Sequence, residues 1–166
     1  TIEILPKEVT APTFADMEEA YVYTGDGVEP TFTLKDGDIQ IPATEYEVRY
    51  QNNVNVGIAS IVITDKAGGN YTVCGTGTFV INKATPIISV APTVAERTYH
   101  PSVALTDSDL NGGSVTGVNG SALEGSWSFT ATGIVPDAGE HSYEAVFTPN
   151  DSNYKKDDFI VKIFHR

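Results

Sequence analysis

The sequence has little of several things on which common protein classes depend. It contains one cysteine, Cys74, one methionine and five leucines in 166 residues. A lone cysteine excludes an internal disulfide and a cysteine-rich zinc site, and the shortage of leucine and methionine disfavours a helical fold. No apolar run approaches the ~20 residues of a membrane-spanning helix. The 10 basic and 22 acidic residues give a net charge of −12, which argues against nucleic acid as a partner.

What the sequence does contain favours β-strands. Thr, Val, Ile and Tyr together supply 57 of the 166 residues, and β-branched and aromatic side chains suit a pleated, half-buried surface. Apolar residues alternate with polar ones, as in Tyr46, Val48 and Tyr50, and the Asp36-Gly37 pair is typical of a hairpin turn. Fifteen glycines and nine prolines separate such runs. We therefore predict an all-β fold.

The chain also contains an internal repeat. Residues 55–64 (NVGIASIVIT) resemble residues 137–148 (DAGEHSYEAVFT), and each segment is followed by an Asn-Tyr pair and then a strand led by phenylalanine. The two asparagines of these pairs, Asn70 and Asn153, lie 83 residues apart, which is half the chain. Self-similarity of this kind indicates two copies of one structural unit.

The boundary between the copies is predicted at the Lys83–Pro86 junction, where Pro86 keeps the preceding residue extended. The predicted domains are residues 1–84 and residues 85–166, each a small Ig-like β-sandwich in architecture. Because the chain begins at Thr1 without methionine, we expect it to be a processed product or a fragment of a longer protein.

The motifs of both units resemble bacterial Ig-like repeat domains. In the first unit the matching segments are residues 23–25 (YTG), 46–53 (YEVRYQNN), 56–57, 63–64, 69–71 (GNY) and 79–84 (FVINKA). In the second they are residues 123–129 (LEGSWSF), 135–139 (VPDAG), 147–149 (FTP) and 153–154 (NY). The first unit departs from the pattern at Val56, where alanine is usual, and at Thr72, where glycine is usual.

This resemblance implies a place in a secreted or cell-wall-anchored bacterial surface protein. Such repeats act as spacers, adhesive arms or accessory modules and share no catalytic site. The resemblance thus implies an extracellular location, neighbouring domains of the parent chain as partners, and contact with a host or matrix protein or a glycan. It implies neither nucleic-acid binding nor membrane insertion by this segment.

The residues that could carry catalysis are scattered. His100, His141 and His165 lie far apart in the sequence with no nucleophile motif beside them, and a thiol enzyme would need Cys74 next to one of them. Gly75 follows Cys74, which places the cysteine in a loop or at a strand edge as a small, partly buried residue. The closest carboxylate pairs are expected to be solvated charges rather than a glycosidase pair; they are Glu18-Glu19, Asp36/Asp38 and Asp157-Asp158. We predict no enzyme and no catalytic residue.

Two acidic segments have the oxygen ligands that calcium prefers. They are residues 107–111, with Asp107, Asp109 and Asn111, and residues 150–153 (NDSN). Neither segment has the order of an EF-hand loop, and turn capping by Asn and Asp explains the same residues. We therefore predict no cofactor, and structural calcium stays open.

Trp127 and three lysines are candidates for two further kinds of site. Trp127, the sole tryptophan, could stack on a sugar, but its alternation with Ser126 and Ser128 favours a core position, as it does for Tyr46 and Tyr50. Lys35, Lys66 and Lys162 are possible donors of a Lys–Asn isopeptide cross-link, which needs a buried lysine.

The sequence therefore predicts a non-catalytic, extracellular tandem Ig-like segment of a larger bacterial surface protein, acting as a stalk, spacer or adhesive arm. The alternative is a carbohydrate- or protein-binding accessory module of a secreted enzyme. The ligand and the oligomeric state are left open.

Overall fold

A computed structural model describes residues 1–165, with the side chains of residues 163–165 excepted. It contains sixteen strands and two short 3-10 helices, Ala43–Glu45 and Asp107–Asp109, and the described residues include no α-helix. The all-β prediction is therefore confirmed. No helix within this part of the chain is long and apolar enough to cross a membrane.

Contacts within the chain divide it into two compact units, Thr1–Asn82 and Lys83–Arg166. The domain assignment made from the sequence, residues 1–84 and 85–166, stays a prediction, and each unit is described by itself below.

Unit 1 contains the first nine strands. They are β1 (Lys7–Val9), β2 (Thr13–Ala15), β3 (Ala20–Val22), β4 (Thr33–Asp36), β5 (Ile39–Gln40), β6 (Tyr46–Gln51), β7 (Gly57–Asp65), β8 (Tyr71–Val73) and β9 (Gly75–Asn82). One sheet has the order β3-β9-β7-β6 and a second has the order β2-β4-β5. β1 pairs with β8, and this pairing is parallel, as is that of β3 with β9.

The core of unit 1 lies between these two sheets. Leu34 comes from the three-stranded sheet, and Ile61 and Phe79 come from the four-stranded one; all three side chains are almost fully buried in one cluster. Two sheets that share a core in this way form a β-sandwich, which is Ig-like in the architectural sense. The predicted inward positions Ala59, Ile63 and Ile81 are buried here as well.

The predicted hairpin turn is present between β4 and β5. Gly37 and Asp38 form its two-residue loop, and Gly37 has φ +60°, a conformation that glycine adopts without steric cost. Ile41 after the turn is fully buried, whereas Ile39 is exposed.

Val48 differs from the alternation predicted for its strand. Its neighbour two residues earlier, Tyr46, is buried, but 40% of Val48 is exposed. The reason is the place of β6 at the edge of the four-stranded sheet, because a residue at a sandwich edge has no strand to cover it on one side.

Unit 2 contains the remaining seven strands. They are β10 (Ile87–Val90), β11 (Thr93–Val94), β12 (Leu110–Asn111), β13 (Ser114–Thr116), β14 (Gly125–Phe129), β15 (Gly139–Pro149) and β16 (Asp157–His165). The main sheet has the order β14-β15-β16, and β10–β13 and β11–β12 form two antiparallel pairs. The core combines Leu105 and Leu110 with Phe129, Ala145 and Val161. Ile163, predicted to face inward, has a side chain outside the described part.

The sequence repeat corresponds to a shared arrangement of strands. In unit 1 the antiparallel neighbours are β6, β7 and β9, and in unit 2 they are β14, β15 and β16. The central strand of each set begins at a glycine with positive φ, +141° at Gly57 and +115° at Gly139. A side chain at either position would be strained, which accounts for the glycine in both copies.

Candidate functional site

The structure does not gather the candidate catalytic residues. Cys74 belongs to unit 1, which has no histidine, and lies exposed between β8 and β9. The expectation that it is partly buried was therefore wrong, because the loop places its side chain in solvent. In unit 2 the ring of His100 accepts a hydrogen bond from the Ser102 amide, and His141 contacts the Asp137 carbonyl and stacks on Tyr143. The side chain of His165 is outside the described residues.

The carboxylate pairs lie on loops and strand ends. Glu18 and Glu19 are exposed before β3, and Asp38 is exposed in the β4–β5 turn. Asp36 forms an ion pair with Lys7, and this hydrogen bond raises the pKa of Lys7 above its ordinary value. Asp157 and Asp158 open β16. These groups lie outside the cavities described for either unit.

The oxygen atoms of the two calcium candidates bind backbone amides. Asp107 accepts from the Phe129 amide at 2.9 Å, and Asp109 accepts from the Thr106 amide at 2.8 Å within a capping box. Asp151 accepts from the Asn153 amide at 2.9 Å. In the described residues no group of three His, Cys, Asp or Glu side chains is placed to hold a metal. Asp109 and Asp151 thus cap their own turns, the alternative already open for these segments, whereas Asp107 binds a strand amide 22 residues away.

The candidate cross-linking lysines are not in the core. Lys66 and Lys162 are exposed, and Lys35 is half-buried in β4. A Lys–Asn isopeptide bond forms between buried partners, so these surroundings do not favour one.

Trp127 packs against the core of unit 2 and is half-buried. Its ring centroid lies 4.8 Å from that of Phe147 and 5.0 Å from that of Phe159. Another side of the indole packs closely against Gly113, since a Cβ atom at that position would lie only 2.8 Å from the indole. The indole also lines a groove of about 230 Å³ together with Leu123, which precedes β14, and residues of β13. Trp127 thus has a core side and a groove side.

The two tyrosines of β6 take the predicted inward positions. Tyr46 is buried, and burial raises the pKa of its phenol. Tyr50 is half-buried, packs against the same core and donates its hydroxyl to the Pro30 carbonyl at 2.8 Å. Burial, followed by the nearby Glu29 charge, raises the pKa of Tyr50.

A buried carboxylate that is not among the predicted site residues lies beside the Asn-Tyr pair of unit 1. Glu45 is 8% exposed, and its two carboxylate oxygens accept the amides of Asn70 and Tyr71 at 3.2 and 3.3 Å. Gly69 leaves room for that carboxylate, since a Cβ atom there would overlap it. The available signal was a glutamate directly before the Y-x-V-x-Y run, but its partner lies 25 residues further on.

The Asn-Tyr pair also holds the chain that enters each unit. In unit 1 the Lys7 amide donates to the Asn70 carbonyl at 2.9 Å, where β1 begins its parallel pairing with β8. In unit 2 the Ala84 amide donates to the Asn153 carbonyl, also at 2.9 Å, and Ala84 forms a parallel bridge with Tyr154. The repeated motif is therefore an anchor for the incoming chain.

No protein-family model matches the sequence. No curated protein matches it significantly. The resemblance to bacterial Ig-like repeats accordingly stays a prediction.

Solved structures match at low similarity. The extracellular domain of protocadherin GammaB4 aligns with 93% of this chain and 33% of its own, at 10% identity and a TM-score of 0.30. Extracellular cadherin domains 1–4 of protocadherin Gamma B7 align with 94% of this chain and 51% of their own, at 13% identity and a TM-score of 0.28. A chimeric titin Z1Z2 aligns with 94% of this chain and 97% of its own, at 14% identity and a TM-score of 0.23.

The chain therefore spans a third to about half of the length of the two protocadherin chains. At these TM-scores the similarity carries no argument about function.

Proposed function

We propose that this chain is a non-catalytic, load-bearing spacer in a larger extracellular protein, of the kind carried on bacterial surfaces. The observation that carries the proposal is the parallel pairing of the entering and closing strands of unit 1. β1 runs parallel to β8, and β3 runs parallel to β9, which ends the unit at Asn82.

Parallel pairing of the entering and closing strands matters because it sets the direction in which a stretching force acts on their hydrogen bonds. A force that stretches the chain pulls β1 and β3 toward the N-terminus and β8 and β9 toward the C-terminus. Strands that run parallel are then sheared along their length, so that all the bonds of a ladder bear the load together. Antiparallel end strands would instead be opened one bond at a time.

Unit 2 has a weaker version of this arrangement. Its entering chain is anchored at Ala84, but within the described residues its closing strand β16 pairs with β15 alone. We therefore expect unit 2 to unfold at a lower force than unit 1.

Single-molecule stretching of the full chain tests this mechanism. Lys7→Pro removes the amide bound to the Asn70 carbonyl and should lower the force of the stronger unfolding event. Lys7→Met is the matched control, because it removes the same ion pair with Asp36 but keeps the amide. Equal forces for the two variants, or two wild-type events of equal strength, would contradict the load-bearing role.

Sequencing the parent reading frame on both sides of residues 1–166 tests the proposed cellular setting. Further repeats together with a secretion signal and a wall-anchoring signal would support a surface stalk or adhesive arm. A catalytic domain next to either end would support the accessory-module alternative.

The groove beside Trp127 favours that alternative as the second candidate. It is lined by Trp127 together with the polar residues Glu124 and Ser114, and aromatic faces with a few polar groups suit carbohydrate ligands. Because Trp127 is the sole tryptophan, its fluorescence reports directly on the groove. Unchanged emission across a glycan panel at millimolar concentration would remove this candidate.

A further inference from the structure

Among the described residues, no strand pairs with the outer edge of β6, so this edge presents unpaired backbone groups. β6 is the last strand of its sheet and pairs with β7 over its whole length without a register shift. The Lys66 amide donates to the Glu45 carbonyl at 3.3 Å, which fixes the alternation of the antiparallel ladder. The backbone groups of Glu47 and Arg49 therefore point to β7, and those of Val48 point away from the sheet.

Exposed edges are commonly protected by charged side chains, especially lysine, by proline, by a bulge or by an inward-pointing charge. The sequence YEVRYQ has no proline, lysine, bulge or inward-pointing charge, and its two charged side chains, Glu47 and Arg49, are of opposite sign. A groove of about 320 Å³ runs beside the strand and is lined by Glu47, Val48, Arg49 and Thr64. Val48 is 40% exposed although it lies on the core side of the sheet, so the edge has apolar surface to bury.

The sequence of β6 is complementary to itself. Val48 is at the centre of its first five residues, YEVRY, where an acidic residue precedes it, a basic residue follows it, and a tyrosine lies on each outer side. We propose that β6 pairs antiparallel with β6 of a second copy of this chain, so that two four-stranded sheets join across a two-fold axis at Val48. This interface is independent of the spacer role.

The charges select this register. With Val48 opposite Val48 of the second copy, Glu47 of each copy lies opposite Arg49 of the other, which gives one such pair on each side of the two-fold axis. These residues form the non-hydrogen-bonded pairs, in which side chains approach most closely. A shift of two residues in one direction or the other places Glu47 opposite Glu47 or Arg49 opposite Arg49, and parallel pairing in register does both. Neither side chain has an ion pair elsewhere in the described residues, so both are available.

The proposed interface is small. One strand pair buries less than the ~1,600 Å² of a standard stable interface, and the net charge of −12 opposes close approach at low salt. The association is therefore expected to be weak and fast, and to matter where copies are held near one another.

Sedimentation equilibrium of the full chain, over a wide concentration range at physiological ionic strength, tests the proposal. The wild type should follow a monomer–dimer equilibrium. Glu47→Arg and Arg49→Glu should each weaken dimerisation at least tenfold, because each places like charges opposite each other. An equimolar mixture of the two variants should dimerise again, since every reversed side chain then faces an opposite charge. The double variant with both reversals should dimerise by itself.

Two controls separate this edge from other surfaces. Glu19→Arg makes the charge change of Glu47→Arg on an exposed loop and should leave the monomer–dimer equilibrium as in the wild type. Val48→Pro removes an amide that points away from β7, so the fold is kept, as circular dichroism will show, while the dimer is lost. A wild type that stays monomeric, aggregates larger than a dimer, or a mixture of the variants that fails to associate would each overturn the proposal.

Discussion

Replacement of Glu45 by alanine should destabilise unit 1 by about 2–3 kcal/mol. The carboxylate is buried and accepts two amides, those of Asn70 and Tyr71. A part-buried amide left without a partner costs roughly 1–3 kcal/mol. Because the two donor–acceptor distances, 3.2 and 3.3 Å, are long for such bonds, the cost of losing each one lies near the lower end of that range. For a unit of this size, a loss of 1 kcal/mol lowers Tm by about 4–8 °C, so Tm should fall by roughly 10–20 °C.

The assay is urea unfolding followed with two probes. Far-UV circular dichroism reports on both units, whereas tryptophan fluorescence reports on unit 2 alone, because Trp127 is the sole tryptophan. Glu45→Ala should lower the midpoint of the unit 1 part of the dichroism transition and leave the fluorescence midpoint unchanged. Gly69→Ala should have a similar effect, since its Cβ would displace the same carboxylate, and the two changes together should cost less than their sum.

Glu19→Ala is the matched control, as it removes an exposed carboxylate from the same unit. If Glu45→Ala is no more destabilising than Glu19→Ala, the carboxylate does not hold the Asn-Tyr loop and the reasoning is refuted. If the fluorescence midpoint moves together with the dichroism, the two units unfold as one, and the assignment of independent domains is wrong.

Three further outcomes follow from the same structure. Gly139→Ala should cost about 1–3 kcal/mol because φ is +115° there; an unchanged fluorescence midpoint in urea would contradict this. Phe147→Ala should cost about 3–5 kcal/mol and shift the Trp127 emission to the red, because it empties a fully buried position against the indole; an emission maximum like that of the wild type would argue against this packing. The raised pKa of Tyr46 contributes stability that is complete below the unfolded pKa of about 10 and is lost as the pH rises through the folded pKa. Tyr46→Phe should therefore flatten the decline of unit 1 stability above about pH 10, and an equally steep decline in both proteins would refute the assignment.

Much of the fold could be predicted because strand patterns are local. A period of two identified the inward row Ala59, Ile61 and Ile63, all of which are buried. The Asp36-Gly37 pair located a hairpin, because few residues adopt positive φ in a two-residue turn. The repeated glycine at the start of the longest strand of each copy is explained in the same way at Gly57 and Gly139.

The candidate site could not be predicted in the same way, because its contacts are distant in sequence. Glu45 meets Asn70 across 25 residues, and Ala84 meets Asn153 across most of unit 2. The Asn-Tyr pair was recognised as a repeated motif, but its role as an anchor depends on which strand enters beside it.

The sequence by itself determined the all-β class, the inward rows of the longer strands and the internal repeat, because side-chain alternation and backbone conformation are properties of neighbouring residues. Only the tertiary structure decided how well each face is covered. It left Val48 at an open sheet edge and Cys74 in solvent, and it buried Glu45 beneath a loop. Coverage depends on which strands become neighbours, and that is set by packing between segments far apart in the chain.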